Sequence, residues 1–416
     1  MPSRRSSLGP PYLVLLIVVA SVIPWQSGSY FAGSFDGIAV AKAGLALVGL
    51  AGAFVLAGST RTPQSVPVAP IVFAIAYLVA TLLGGLTGGD FQASLVIAVR
   101  VAIQLATVAL LAYRYPASAL LPSLVAALGT VGGLAAVTGL SSLASGRLWG
   151  GFPPMHPNEL AFESAVVLSW VVAKMTQARD TLGHLVAGTV ALGVLLSTGS
   201  RTSLLVMAPT IAVLIVTARA IRVRTGLLVG MLIPLMVWAA LGTDAIAQFI
   251  DRGEDTSQLS TLSNRTIAWH AALAPKDTIW EVLFGSGLAT KQIAVAGQWW
   301  AYQILDSSWV SVLVQGGLVG LAICALWMAH ATLRVIQTSP RDLMGWQVAM
   351  LLLLTLRGAL ESGLFDATTA FLVLACVTLS NGTRIRRWNL RRPTRRFSGT
   401  RAHSGGTPRG DLSKIT

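Results

Sequence analysis

The chain has 416 residues, a mean hydropathy of +0.70 and only 11% charged side chains. Soluble globular domains carry roughly 25% charged residues, so this composition excludes a soluble globule and indicates a polytopic membrane protein. The formal net charge of +14 would suit a nucleic-acid-binding protein, but the basic residues are spread over the connectors between apolar segments, which argues against nucleic acid as a partner.

About twelve apolar segments are long enough to cross a bilayer, which takes roughly 17 to 25 residues of helix. The sequence therefore predicts an all-α fold with about twelve transmembrane helices. The first is expected to be a retained signal anchor, because Arg4 and Arg5 precede it and no small-residue cleavage site follows it. The predicted spans are 12–23, 37–57, 68–86, 92–113, 119–140, 158–174, 182–197, 202–217, 226–242, 308–333, 343–360 and 364–380.

The distribution of charge predicts the topology. With the N-terminus inside, about 21 of the 30 Lys and Arg residues are cytoplasmic, as the positive-inside rule requires. The excess charge is then explained by topology and by attraction to anionic membrane lipid. Both termini are expected to be cytoplasmic. The predicted regions are a scaffold of nine spans (1–242), a large outward-facing loop containing short helices (243–305), three further spans (306–380) and a basic, disordered tail (381–416).

Two cations lie inside the early spans. Lys42 is near the outer end of its helix and can extend its ammonium group to the surface. Arg100 lies about two turns below the outer surface, where a charge costs about 2.5 to 3.5 kcal/mol. We therefore expect Arg100 to be paired or to bind substrate.

An outward-facing segment rich in Gly and Pro precedes the sixth span. Asn158 is predicted to cap that helix, whose N-terminus would then favour anions. Glu159 and Glu163 are four residues apart and share one helical face, and Glu163 lies inside the membrane. A cap with an internal ion pair is one interpretation, and contact with substrate is the other.

The turn after the seventh span combines small polar residues with one guanidinium. Ser200 and Arg201 lie in a Ser/Thr/Gly run whose backbone donors, beside the arginine, suit a phosphate or pyrophosphate. An ordinary interfacial arginine at a turn is the alternative.

The long polar stretch holds further candidates. Ser263 is predicted to cap a short helix that carries Arg265 and runs to about residue 273. Asp306 precedes an apolar helix and is interpreted either as its cap or as a base. Trp309 belongs with neighbouring aromatics either to an interfacial belt or to a surface that stacks on sugar.

The eleventh span ends in a polar group. Arg357 and Glu361 are spaced for an ion pair within the helix, and they lie on the outward side in the predicted topology. Cys324 and Cys376 fall inside spans and are interpreted as small apolar side chains. The outward loops contain no DxD or His cluster with metal-ligand spacing, so we expect neither a metal nor a cofactor.

Three separated pieces together resemble the O-antigen ligase and polymerase family of bacterial surface polysaccharide synthesis. They are PNELA at 157–161, SRTSL at 200–204, and a stretch running from 264–265 through FGSG at 284–287 and Asp306 to GGLVG at 316–320. The resemblance extends over roughly 154–366. It implies a GT-C-like fold in the bacterial plasma membrane, with an outward-facing active site that takes glycans from a polyprenyl-pyrophosphate carrier.

The resemblance also implies residue roles. Arg201 and Arg265 match the family's essential arginines. Asp306 stands where many members have the histidine of a His-Asn pair, and Ser307 stands where they have the asparagine. Some polymerases are similar to this chain in having aspartate there, which favours a polymerase that elongates a lipid-linked acceptor. Other membrane proteins of polysaccharide assembly are the partners implied.

The chemistry of the candidates agrees with this assignment. A sugar bonded to pyrophosphate needs charge stabilisation for the leaving group and a base for the incoming hydroxyl. Arg201 and Arg265, with Arg100 and Arg357, are candidates for the first task, and Asp306, with Glu361 and Glu163 behind it, for the second. The alternatives are a ligase that moves a finished glycan to a lipid or protein, and a transporter or flippase of lipid-linked sugars, because buried arginines also line pathways.

Overall fold

The computed structural model describes residues 9–25, 37–59, 63–88, 90–177, 182–218, 265–295 and 301–380. Within these ranges the chain is mostly helical. The helices are α1 (Pro10–Val22), α2 (Gly37–Gly58), α3 (Val68–Thr87), α4 (Phe91–Arg114), α5 (Ala117–Thr138), α6 (Pro157–Thr176), α7 (Leu182–Ser197), α8 (Arg201–Val216), α9 (Arg265–Leu273), α10 (Ile279–Phe284), α11 (Ser308–Thr338), α12 (Arg341–Leu360) and α13 (Thr369–Leu379). A 3-10 helix (Leu140–Ser145) follows α5, and β1 (Gln292–Ala294) pairs antiparallel with β2 (Tyr302–Ile304).

The predicted class, an all-α membrane protein, is confirmed. Helices occupy eleven of the twelve predicted spans, and the span at 226–242 lies outside the described residues. Among the described helices, α2, α3, α4, α5, α11 and α12 are long and apolar enough to cross a membrane. The number twelve and the GT-C likeness stay predictions. Ser263, much of the loop at 243–305 and the tail at 381–416 also lie outside the described ranges.

Contacts between connectors sort the described helices into a bundle with two ends. At one end the backbone N–H of Gln64 donates to the carbonyl of Tyr113, and the Gln177 amide donates to the carbonyl of Asp342 at 2.6 Å. At the other end, which we call the site end, α3, α5, α7 and α12 finish and α4, α6, α8, α11 and α13 begin. The described helices therefore alternate in direction, and which end of the bundle faces outward stays a prediction.

The core lies around α13, whose eleven residues are all buried. At about 1.5 Å per residue this helix is only about half as long as a bilayer core is thick, so the turn before it, residues 361–368, descends into the bundle. α1 packs against α2 and α5 and buries Leu15, Val18 and Val19. The first predicted span is therefore an integral part of the described bundle.

The longest helix, α11, is broken at Gly317, which has φ 61° and ψ −162°. The break leaves carbonyls near it without helical partners, and the segment after α10 supplies donors for two of them. The Ser286 N–H donates to the Val314 carbonyl at 2.8 Å, and the Gly287 N–H donates to the Gln315 carbonyl at 3.0 Å. The FGSG segment thus fills the break in the GGLVG helix.

Two glycines, one in the last turn of α3 and one just after the helix, allow the same segment to approach from its other side. A Cβ on Gly84 would lie 2.2 Å from the Phe284 carbonyl oxygen, and one on Gly88 would lie 2.4 Å from that of Ser286. Backbone therefore meets backbone between α3 and α11, and the segment at 284–287 is fixed at the site end.

Candidate functional site

The turn between α12 and α13 is the centre of the site end. Glu361 follows the last residue of α12, and its carbonyl accepts from both the N–H and the hydroxyl of Ser308, at 3.0 and 2.7 Å. Its carboxylate accepts from the Asn158 side-chain amide at 2.8 Å. α6, α11 and α12 are thereby joined at one residue, in a bundle whose interior is otherwise mostly apolar.

The predicted ion pair between Arg357 and Glu361 is wrong. Arg357 instead donates to Glu159 of α6 at 2.7 Å, and its guanidinium lies 4.5 Å from the centre of the Phe162 ring. The reason is local geometry: α12 ends at Leu360 and Glu361 has extended backbone angles, so its side chain leaves the helical face that would bring it one turn from Arg357. Each acid of this group therefore bonds a residue of another helix.

The predicted cap of α6 is also wrong. The helix begins at Pro157, a residue that favours the first helical position, so His156 is the capping residue and its Nδ1 accepts from the Asn158 N–H at 3.2 Å. The Asn158 side chain is thereby left to bind Glu361. The sequence signal was the proline itself, which fixes the position of the cap one residue before it.

His156 is a site residue that the sequence reasoning missed. Its ring meets the Trp149 ring edge-on, with centroids 5.0 Å apart. Burial lowers the pKa of His156, the positive charge of Arg147 lowers it further, and Glu159 opposes both. A neutral imidazole is the form that can accept the Asn158 N–H, so these effects favour the state that keeps Asn158 in place.

Glu163 lies one turn deeper in α6 and is buried, with 1% exposure. Among the described residues neither of its carboxylate oxygens has a hydrogen-bond partner. The carboxylate faces α5, where a Cβ on Gly132 would lie 2.8 Å from its Oε2. Within the described structure, Glu163 is therefore packed between α5 and α6 and makes no side-chain hydrogen bond to the group around Glu361.

The turn before α8 is held by the segment that follows α5. Ser200 caps α8 by accepting from the Ser203 N–H at 3.4 Å, and it is buried. Arg201 follows as the first residue of the helix and is exposed. Arg147, another residue that the sequence reasoning did not select, donates through Nε to the Thr198 carbonyl at 3.0 Å. Two arginines therefore lie beside the α8 N-terminus.

The start of α11 carries Asp306 and Trp309. Of the two interpretations of Asp306, the cap is wrong, because Ser307 accepts from the Val310 N–H at 3.4 Å. Asp306 is half-buried just before it. The indole N–H of Trp309 donates to the Thr355 carbonyl at 3.2 Å, so Trp309 ties α11 to α12.

Arg265 lies in α9, which ends at Leu273 as the sequence predicts. This helix packs over the start of α11, where Ala272 contacts Leu305 and Val314. Arg201, the start of α9 and Asp306 therefore lie at the same end of the bundle.

Arg100 lies apart from this group. It is on α4, which packs against α2, α3 and α13, and it lines a cleft bounded by α1, α2 and α4. Its positive charge acts on the Asp366 carboxylate, which pairs with Lys291 and lies near the end of the turn between α12 and α13. Of the predicted site residues, the structure thus brings Asn158 and Glu361 together and leaves Arg100 and Glu163 outside.

Comparison of the chain with protein-family models and with curated proteins gave no match.

Proposed function

We propose that this protein is a membrane glycosyltransferase that polymerises oligosaccharide repeats at the outer face of the bacterial plasma membrane. In this proposal the donor is linked to polyprenyl pyrophosphate and the acceptor is also lipid-linked. The observation that carries it is the Asn158–Glu361 hydrogen bond of 2.8 Å, which joins α6 and α12 beside the segment that holds Asp306. The resemblance of the same segments to the O-antigen ligase and polymerase family supports it.

The proposed reaction is a displacement at the anomeric carbon of the donor. Asp306 takes the proton of the acceptor hydroxyl, whose oxygen forms the new glycosidic bond as the bond to the pyrophosphate oxygen breaks. Arg201 and Arg265 stabilise the departing pyrophosphate by charge-assisted hydrogen bonds. Because Ser307 caps α11, Asp306 is not the capping group, which supports giving its carboxylate this role.

Glu361 is proposed to orient the sugar. Its carboxylate is held by Asn158 and its main chain by Ser308, so the carboxylate has a defined position from which to contact a sugar hydroxyl. Arg357, Trp309 and Ser200 are assigned a supporting role, because each makes a contact that holds helices or a turn together. Glu163 is given no part in the reaction.

The test is elongation of supplied lipid-linked repeats by the purified full-length chain, with product length resolved on gels. General-base catalysis contributes about 10² to 10⁴ in rate, so D306N should lose roughly a hundredfold or more, and R201Q should lose activity as well. D342N, at the opposite end of the bundle, is the matched control and should elongate like the wild type.

Three outcomes would contradict the proposal. A wild-type chain that makes no new glycosidic bond but moves lipid-linked sugar across vesicles would be a flippase. Transfer of a preformed long glycan to a lipid or protein, without elongation, would identify a ligase. Full elongation by D306N would remove Asp306 as the base.

A further inference from the structure

The connector between α5 and α6 exposes large apolar side chains. This connector, residues 139–156, is called the α5–α6 loop below, and it contains no Lys, Asp or Glu. Leu140 and Phe152 are more than half exposed, and Leu143 and Trp149 are each more than two-fifths exposed. Leu140 and Leu143 are three residues apart in the 3-10 helix, so their side chains lie on the same side of it. Large apolar side chains exposed on one short segment mark an interaction surface.

The backbone of the same loop has its hydrogen-bond donors satisfied inside the protein. Residues 146–156 form neither helix nor strand, yet each of the five consecutive N–H groups from Leu148 to Phe152 donates to an acceptor at 2.7 to 2.9 Å. The next two residues, Pro153 and Pro154, carry no N–H. The five acceptors are, in order, the Ser197 carbonyl, the Ser142 hydroxyl, the Met155 carbonyl, the Ala135 carbonyl and the Thr138 hydroxyl.

This pattern is the one that a low-water environment requires. Irregular backbone at membrane depth is tolerated only where the protein itself satisfies the polar groups that water would otherwise bind. A loop in water has no such requirement, because water can accept from its N–H groups. The donors of residues 148–152 are therefore prepared for contact with lipid.

The loop also folds back to the level of the last turn of α5. The Phe152 N–H binds Thr138, the last residue of that helix, and the Gly151 N–H binds Ala135 one turn earlier. α5 has 22 residues, so it is about 33 Å long and close to the roughly 30 Å thickness of the hydrocarbon core. Val137, beside Thr138, is also exposed. Phe152 therefore lies at the edge of the hydrocarbon core, next to an exposed apolar helix end.

We propose that the α5–α6 loop is embedded in the membrane interface and that the phospholipid around the site end is its partner. Phe152 and Leu143 contact the first part of the acyl chains, and Trp149 lies at headgroup level, where indole rings are enriched. The lack of acidic side chains in the loop suits the level of the lipid phosphates. Lipid is the partner, and not a second copy of the chain, because the exposed side chains continue the exposed end of a helix that is long and apolar enough to cross the membrane.

An embedded loop fixes the depth of the candidate site. The Trp149 ring meets the ring of His156, which caps α6, and the Asn158 side chain at the start of that helix binds Glu361. Lipid contact at Trp149 therefore holds the group around Glu361 close to the membrane surface. The inference concerns membrane contact alone and does not depend on the proposed reaction.

The test is site-directed spin labelling of the full-length chain in phosphatidylcholine vesicles. The variants F152C and L143C are labelled, and collisions of the label are measured with oxygen, which partitions into the bilayer, and with a neutral nickel chelate, which stays in water. L47C, in the middle of the exposed face of α2, is the hydrocarbon control. Q337C, exposed in the last turn of α11 between two arginines, is the water control. Both native cysteines are buried, and the wild-type chain, treated in the same way, measures their background.

The ratio of oxygen to nickel collisions should be severalfold higher at F152C and L143C than at Q337C, and it should not exceed that at L47C. The proposal requires the raised ratio at each of the two positions whose variant folds. If F152C does not fold, L143C decides alone, because Leu143 contributes no side chain to the hydrogen bonds of residues 148–152.

Two results would overturn the proposal. A ratio equal to that at Q337C would place the loop in water. Exclusion of both reagents would show that protein covers this face, and broadening of the spectrum by a second label would identify that protein as another copy of the chain.

Discussion

The ion pair between Arg357 and Glu159 should be one of the main energetic links between α6 and α12. The variant E159Q keeps the shape of the side chain and removes its charge, which leaves the Arg357 cation buried opposite a neutral amide. R357M removes the cation, and with it the contact of the guanidinium with the Phe162 ring. Both changes lie at the site end, yet neither removes a proposed catalytic group.

The expected magnitude follows from the burial of the two side chains. Breaking a buried pair by removing one partner costs about 3 to 5 kcal/mol. The Arg357 side chain is 5% exposed, but that of Glu159 is 31% exposed, so water relieves part of the loss. We expect E159Q to lower the free energy of unfolding by about 2 kcal/mol, and the double variant to be less destabilised than the sum of the single variants by about 1 to 2 kcal/mol.

The assay is denaturant unfolding of the four proteins of this double-mutant cycle in one detergent. The matched control is the Lys276–Glu281 pair, at 3.5 Å with side chains 24% and 30% exposed, where a coupling of about 0 to 1 kcal/mol is expected. A second cycle between Arg357 and E361Q should show little coupling. Coupling that is larger to Glu361 than to Glu159 would refute the assignment of the pair.

Two further predictions concern His156 and the break in α11. Burial and Arg147 lower the pKa of His156 in the folded chain. Below the ordinary pKa of about 6.5 the unfolded chain therefore binds more protons than the folded chain, so the free energy of unfolding should fall as the pH decreases below that value. H156N, which does not titrate, should remove this dependence. An unchanged pH profile in H156N would contradict the role. At Gly317 a Cβ would lie 2.3 Å from the backbone of Leu283, whereas Gly44 has open space around it. G317A should therefore lose the folded monomer peak in size-exclusion chromatography, and G44A should keep it. A normal G317A peak would contradict the packing of residues 284–287 into the break of α11.

The helices could be predicted from the sequence because a bilayer imposes a simple rule. A segment must be apolar over the whole thickness of the hydrocarbon core, so length and hydropathy located eleven helices that the structure describes. The end of α13 nearer the site was less predictable, because Leu364 and Phe365 are as apolar as a helix but belong to the turn. Burial in the protein interior and burial in lipid select the same residue types.

The partners of polar residues could not be predicted in the same way. Spacing of four residues indicates which side chains share a helical face. It predicts an ion pair between Arg357 and Glu361, and it predicts that Glu159 pairs within its own helix. The observed pairs instead cross from one helix to another, and a single sequence contains no record of which helices are adjacent. The cap at His156 is different, because it could have been predicted from the sequence. Pro157 favours the first helical position, which makes the residue before it the cap.

The glycine motifs have a physical explanation that is independent of catalysis. FGSG at 284–287 needs the gap at Gly317 on one side and the bare backbone of Gly84 on the other, so the spacing between these glycines is constrained by packing alone. The same packing holds the segment that leads through Lys291 and the hairpin to Asp306. A loop anchored at Asp366 by Lys291 and in α11 by two backbone hydrogen bonds can present Asp306 at a defined position, which preorganised chemistry requires. Packing alone therefore explains these glycines, and Asp306 lies beyond the segment that they hold. The variants of Asp306 and of Gly317 should consequently fail in different ways, the first folded and inactive, the second without the fold.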